Sequence, residues 1–184
     1  MLNKYTIAFA VLAASQAVTA SEINSKPLDF KGISLGASPE ETRSTFMASM
    51  TSWRCARGVE TGATGSCSAE GITFAQSPTR SVEFGYVDGR LSSVTAFVDA
   101  PAFPAAVAAL RTKYGAPSQT KQGTVANLTG ARLPQIQHTW TVPKSGVLTA
   151  ILRGSTMDTA EITYRTVEQA AADNSKQRTA KPDI

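Results

Sequence analysis

Apolar and polar residues alternate along this chain with two different periods, and the changes of period mark its elements. Phe103, Val107, Leu110 and Tyr114 recur at helical spacing. Arg111 and Lys113 suit the negative end of such a helix, Gly115 suits a left-handed cap, and Pro117 blocks continuation, so a helix is predicted over 103–114. A second helix is predicted from Pro39 to about Met50. Ser38 is its N-cap, Pro39 its first helical position and Glu41 the return arm of a capping box, with Thr42, Phe46, Met47 and Met50 as its apolar side.

Most of the remainder follows period two. Val82, Phe84 and Tyr86 share one face, Asp88-Gly89 is a strong hairpin signal, and Val94, Ala96 and Val98 return, which predicts a β-hairpin over 81–98. Ile136, His138, Trp140 and Val142 alternate before a turn at 143–146. Strands at 147–153 and 160–166 then complete a three-stranded meander, and shorter strands are expected at 71–75 and 124–128. The order helix, loop, strands occurs twice, over about 27–99 and 101–167, a pattern compatible with a duplicated unit. The predicted fold class is α+β, a two-layer domain over 21–167 with amphipathic helices packed on one face of antiparallel sheet and the other face open. Residues 168–184 read as a tail: Glu168 to Ala172 extend briefly as helix, and the polar stretch from Asp173 is expected to fray.

The first twenty residues carry a different pattern. Lys4 supplies a positive start, Ile7 to Ala14 an apolar run too short to span a bilayer, and Val18-Thr19-Ala20 small residues for a peptidase, so 1–20 reads as a signal peptide cleaved after Ala20. Ser21 rather than cysteine follows the cut, so no lipid anchor is expected, and the mature chain is expected in the periplasm or the exterior. The net charge of +4 is mild, and the basic residues are scattered, which disfavours nucleic acid. At 42% hydrophobic residues the chain can bury one ordinary core.

Export changes the reading of Cys55 and Cys67, the two cysteines. In an oxidising compartment such a pair forms a disulfide, and closing a loop of this size is worth roughly 3 kcal/mol in the chain-entropy account. The enclosed segment holds three glycines and little apolar content, so it would otherwise be floppy. A metal pair or a redox couple fits less well, because the single histidine is far off and the spacing is not Cys-x-x-Cys.

The segment Gly32-Ile33-Ser34-Leu35-Gly36-Ala37-Ser38-Pro39-Glu40-Glu41-Thr42 resembles the GMTxxEV-type helix start of small envelope proteins of the BamE/SmpA-like class. Tyr86-Val87-Asp88-Gly89-Arg90-Leu91 and Lys113-Tyr114-Gly115-Ala116-Pro117 extend the resemblance. Two such units in tandem would be similar to the β-lactamase inhibitory proteins, although those carry a cysteine pair in each repeat and this chain has one pair. The resemblance implies protein binding through a sheet face and adjacent loops, without cofactor or catalysis, with Asp88 on a hairpin loop of the kind that probes a target.

Candidate chemistry is sparse. His138 is the only histidine, so any Ser-His or Cys-His mechanism must pass through it, yet no Gly-x-Ser-x-Gly segment or other marked nucleophile accompanies it. A core position on the sheet is the plainer reading of His138. No metal or cofactor is expected. Large aromatics outside the predicted core are the better lead, with Trp53 and Trp140 as anchors and Arg57 and Asp88 on loops beside them; Arg54, Arg80 and Arg90 could add a positive rim. The expected function is a secreted, non-catalytic module that binds another protein of the envelope or exterior, as an inhibitor, immunity or accessory factor. A binder of a small molecule or glycan fragment is the first alternative, and a hydrolase using His138 is the second.

Overall fold

The computed structural model describes residues 27–126 and 130–179. The leader at 1–20 and the far end of the strand expected over 124–128 lie outside them. In chain order the elements are β1 (Asp29–Phe30), β2 (Ile33–Ser34), α1 (Pro39–Phe46), β3 (Ser52–Cys55), β4 (Gly65–Glu70), β5 (Thr73–Phe74), β6 (Ser77–Val87) and β7 (Arg90–Asp99). There follow α2 (Phe103–Tyr114), β8 (Gln119–Ala126), β9 (Arg132–Val142), β10 (Gly146–Leu152), β11 (Thr159–Arg165) and α3 (Val167–Thr179).

Among the described residues strand outweighs helix two to one, 48% against 24%, and this overturns the two-layer α+β expectation. The chain is a β-rich fold on one antiparallel sheet in the order β3-β4-β6-β7-β11-β10-β9-β8, with β5 paired to β6 off that path. Two things shifted the balance. Polar segments such as β8, with no apolar alternation of their own, are strands because a neighbour supplies their hydrogen bonds. The helices are also short. The capping box of α1 forms as the sequence requires, with Ser38 Oγ accepting from Glu41 N–H and Glu41 Oε2 accepting from Ser38 N–H. The helix stops at Phe46, four residues early: Ser44 and Thr45 hydroxyls bond back to the Glu41 carbonyl, and Met47, expected in the core, is 61% exposed. α2 matches its predicted span and buries Phe103, Val107 and Leu110.

Each half runs helix and then a four-strand meander, β3-β4-β6-β7 and β8-β9-β10-β11, and the last strands of the two meanders pair with each other. Register then lines the core residues into continuous rows. One row runs Trp53, Ala69, Val82, Ala96, Ile162, Ala150, His138, and the next runs Cys67, Phe84, Val94, Tyr164, Leu148, Trp140. Over them lies the β1 segment, where the Phe30 ring centroid is 5.7 to 6.3 Å from those of Phe46, Phe74, Phe84 and Tyr164. Asp29 fixes that segment through Lys113 Nζ at 2.7 Å, and the Asp29 carbonyl accepts from Tyr114 Oη–H at 3.0 Å. Two turns depend on unusual backbone. Asp88 and Gly89 both have positive φ, as the tight hairpin demands, and a Cβ on Gly146 would collide with the Arg165 carbonyl.

Cys55 and Cys67 form the expected disulfide, and it joins directly paired residues of β3 and β4. The loop between them is better anchored than its composition suggests, because Val59 is fully buried. No described helix is long and apolar enough to cross a membrane. Residues 167–179, expected to be a brief helix and a frayed tail, form α3. Replacing both cysteines by alanine should lower stability by roughly 2 to 4 kcal/mol in chemical denaturation and leave the far-ultraviolet spectrum unchanged. Trp140→Ala should cost about 3 to 5 kcal/mol in the same measurement, as expected for a large core side chain.

Candidate functional site

Alternation that sends apolar residues to one face of the sheet sends small polar residues to the other. A single outer row runs Arg54, Ser68, Glu83, Thr95, Thr163, Thr149, Thr139, Gln119 across the whole sheet. Four neighbouring strands thus contribute a threonine each. Thr95 and Thr163 hydroxyls are 3.3 Å apart, and Thr149 and Thr163 are nearly buried despite facing away from the core.

They are buried because α3 lies across this face. Thr166 starts that helix: its hydroxyl accepts from Gln169 N–H and its own N–H donates to the Ser92 carbonyl. α3 has no apolar stripe and no described residue that is fully buried; Gln169, Ala170 and Asp173 are its half-buried positions. One bond that ties its middle to the sheet is Arg165 Nε to Asp173 Oδ2 at 3.1 Å, with Gln169 Nε2 donating to Asp173 Oδ1 at 2.8 Å. A helix held by polar contacts over a flat sheet leaves space. Between them is a cleft of about 670 Å³, with Thr139, Thr149, Gln119 and Gln137 on its floor and Asp173 and Asn174 on its roof. Its volume lies within the range of small-molecule sites, roughly 300 to 1,000 Å³.

The residues singled out from the sequence fall elsewhere. Trp140 is 3% exposed, and its Nε1–H donates to the Gly115 carbonyl at 2.9 Å, so it belongs to the core rather than to an exposed surface. Trp53 is half-buried on the same core face, 5.4 Å from Phe84. Arg57 and Asp88 are exposed, and the structure brings their loops together: Asp88 N–H donates to Thr64 Oγ1 at 3.2 Å, and Gly89 backs onto Gly62, where a Cβ would be 3.1 Å from the Gly62 Cα. Arg80 and Arg90 do not form a free rim. Arg80 bridges Asp99 and Asp158 at 2.6 and 2.8 Å, and Arg90 donates to the Gly36 carbonyl.

His138 sits on the core face, stacked on Phe103 with centroids 6.0 Å apart, and its Nδ1 is 2.8 Å from Thr120 Oγ1. Around it is a shallow depression lined mainly by Phe103, Val107 and Ile136, with Arg111 at its edge. The arrangement provides one hydroxyl beside one imidazole, and the charge that acts on the ring is the Arg111 cation rather than a carboxylate. Among the described residues, no group of three His, Cys, Asp or Glu side chains is placed to hold a metal ion. The floor threonines carried a signal in the sequence, as the alternate partners of His138, Trp140, Leu148, Ile162 and Tyr164, but only register joins them into one surface.

Burial, and then the Arg111 charge, hold the His138 imidazole below its ordinary value of 6.5. The unfolded chain therefore takes up a proton more readily than the folded one, so the stability contributed by the neutral ring is complete above that value and is lost as pH falls below it. Urea midpoints should drop from about pH 7 to about pH 5, and His138→Gln should flatten that part of the dependence. Comparison with protein-family models, with curated proteins and with solved structures returns no match.

Proposed function

We propose that this chain is a non-catalytic binding protein of an oxidising, extracytoplasmic space, secreted or periplasmic, that holds a polar small molecule or glycan fragment on the outer face of its sheet. The observation that carries the reading is the cleft beneath α3, a concave site of about 670 Å³ floored mainly by hydroxyl and amide side chains, with Val147 and Ile151 between them. Such groups both donate and accept, are less costly to desolvate than charged groups, and sit on rigid strands, so they suit the recognition of a hydroxyl-rich ligand. The disulfide supports the compartment, since it persists where thiols are oxidised. The described exposed large hydrophobics are Met47, Val87 and Val167, none of them aromatic, which favours a polar ligand over an aromatic-anchored protein interface.

A protein partner is the second reading, supported by one observation: the disulfide-closed loop with Arg57 and the turn with Asp88 abut and present one joined surface. The two readings predict different footprints. Nuclear magnetic resonance titration with neutral and acidic saccharides should shift the amides of Gln137, Thr139 and Thr149, and Gln137→Trp, which fills the cleft, should abolish those shifts while leaving the fold intact. Arg57→Ala should leave them unchanged. Shifts confined to 57–64 and 88–89 would sink the cleft reading in favour of the loop surface.

A further inference from the structure

The charges in the cleft narrow its ligand further. On the reading that the cleft is the binding site, we infer that it takes a carboxylate-bearing saccharide, whose acid group replaces Asp173 on Arg165. Among the described residues, four charged side chains line the cleft: Lys121, Arg165 and Lys176 are cationic, and Asp173 is the carboxylate. The cleft is therefore positive even with Asp173 in place, which attracts an anion.

Asp173 occupies the place that a ligand acid would take. Arg165 projects from the end of β11, and its Nε–H is aimed at a carboxylate oxygen 3.1 Å away, with each side chain about one-third exposed. A guanidinium recognises any carboxylate through the same planar donor fork, so exchange of one for another leaves Arg165 satisfied. The pair is one-third open to water, which screens it in part, and no described residue of α3 is fully buried, so displacing Asp173 costs less than breaking a buried pair would. The rest of the ligand then meets Gln119, Thr139 and Thr149, which form one row across neighbouring strands, and Gln137, two residues along β9 from Thr139. A peptide fits this surface less well. Peptides add to sheets by pairing with the open main chain of an edge strand, whereas the cleft is lined by side chains of the sheet face, with edge strand β8 forming only its wall.

The test uses the oxidised full chain and titration calorimetry with trigalacturonic acid, the neutral trisaccharide maltotriose, and triglutamate. Trigalacturonic acid should bind about tenfold tighter than either of the others, as one charge-assisted contact allows. Its affinity should fall with added salt. Asp173→Asn, which removes the internal competitor, should tighten it several-fold, and Lys121→Gln, on an exposed strand, should weaken it several-fold. Arg165→Gln should erase the preference for acid over neutral sugar. Maltotriose binding as well as the acid would overturn the carboxylate inference and leave the polar cleft standing. A preference for triglutamate would overturn the saccharide assignment. An Asp173→Asn variant with normal near-ultraviolet ellipticity and unchanged or weaker acid binding would overturn the exchange at Arg165. Absence of binding by any of the three probes, in the natural chain and in Asp173→Asn alike, would overturn the inference as a whole.

Discussion

The ladder between β7 and β11 is the contact on which the rest of the molecule depends. Each strand ends its own four-strand meander, and their pairing from Thr159 opposite Asp99 to Arg165 opposite Ser93 turns two half-sheets into one. A four-strand sheet with one short helix is a small unit that buries too little surface to be robust. Joined, the two share a core in which Val94 lies beside Tyr164 and Ala96 beside Ile162. Arg80 closes the same seam from the side, reaching Asp99 on one half and Asp158 on the other. The ladder also aligns the outer threonines, so the core and the cleft floor have one origin.

What was legible in the sequence was local. The capping box of α1, the span of α2, the Asp88-Gly89 hairpin and the meander from Ile136 to Thr166 are each specified by residues a few positions apart, and each stands where the pattern puts it. The fold class was not legible, because β3 is only four residues long, β4 and β8 are rich in Ser, Gly, Gln and Thr, and all three take their order from the strands they pair with. Trp140 shows the same limit at one residue. Alternation correctly puts it on the face it shares with His138, but whether that face meets solvent or α2 is decided by packing, and Trp140 is core. Asp173 read as tail because its partner Arg165 is fixed by the strand it ends and not by any helical pattern.

The two sheet faces answer to different constraints. Substituting a core residue such as Ala150 or Ile162 disturbs close packing on all sides. A floor residue such as Thr139 or Gln137 borders open space, so its side chain can change without repacking the core. This division lets binding preference vary independently of stability. His138 lies on the constrained side, and its burial there is the first cause of its lowered proton affinity.

The margins of the sheet are unlike each other. β3 is stitched to β4 by a covalent bond between paired residues, whereas β8, at the far margin, is held to β9 by hydrogen bonds. Fraying or pulling therefore begins at β8 while the cysteines stay joined, and it brings down the wall of the cleft that carries Gln119 and Lys121 first. Reduction would make the margins alike. The redox poise of the surroundings thus decides whether this sheet has one soft border or two.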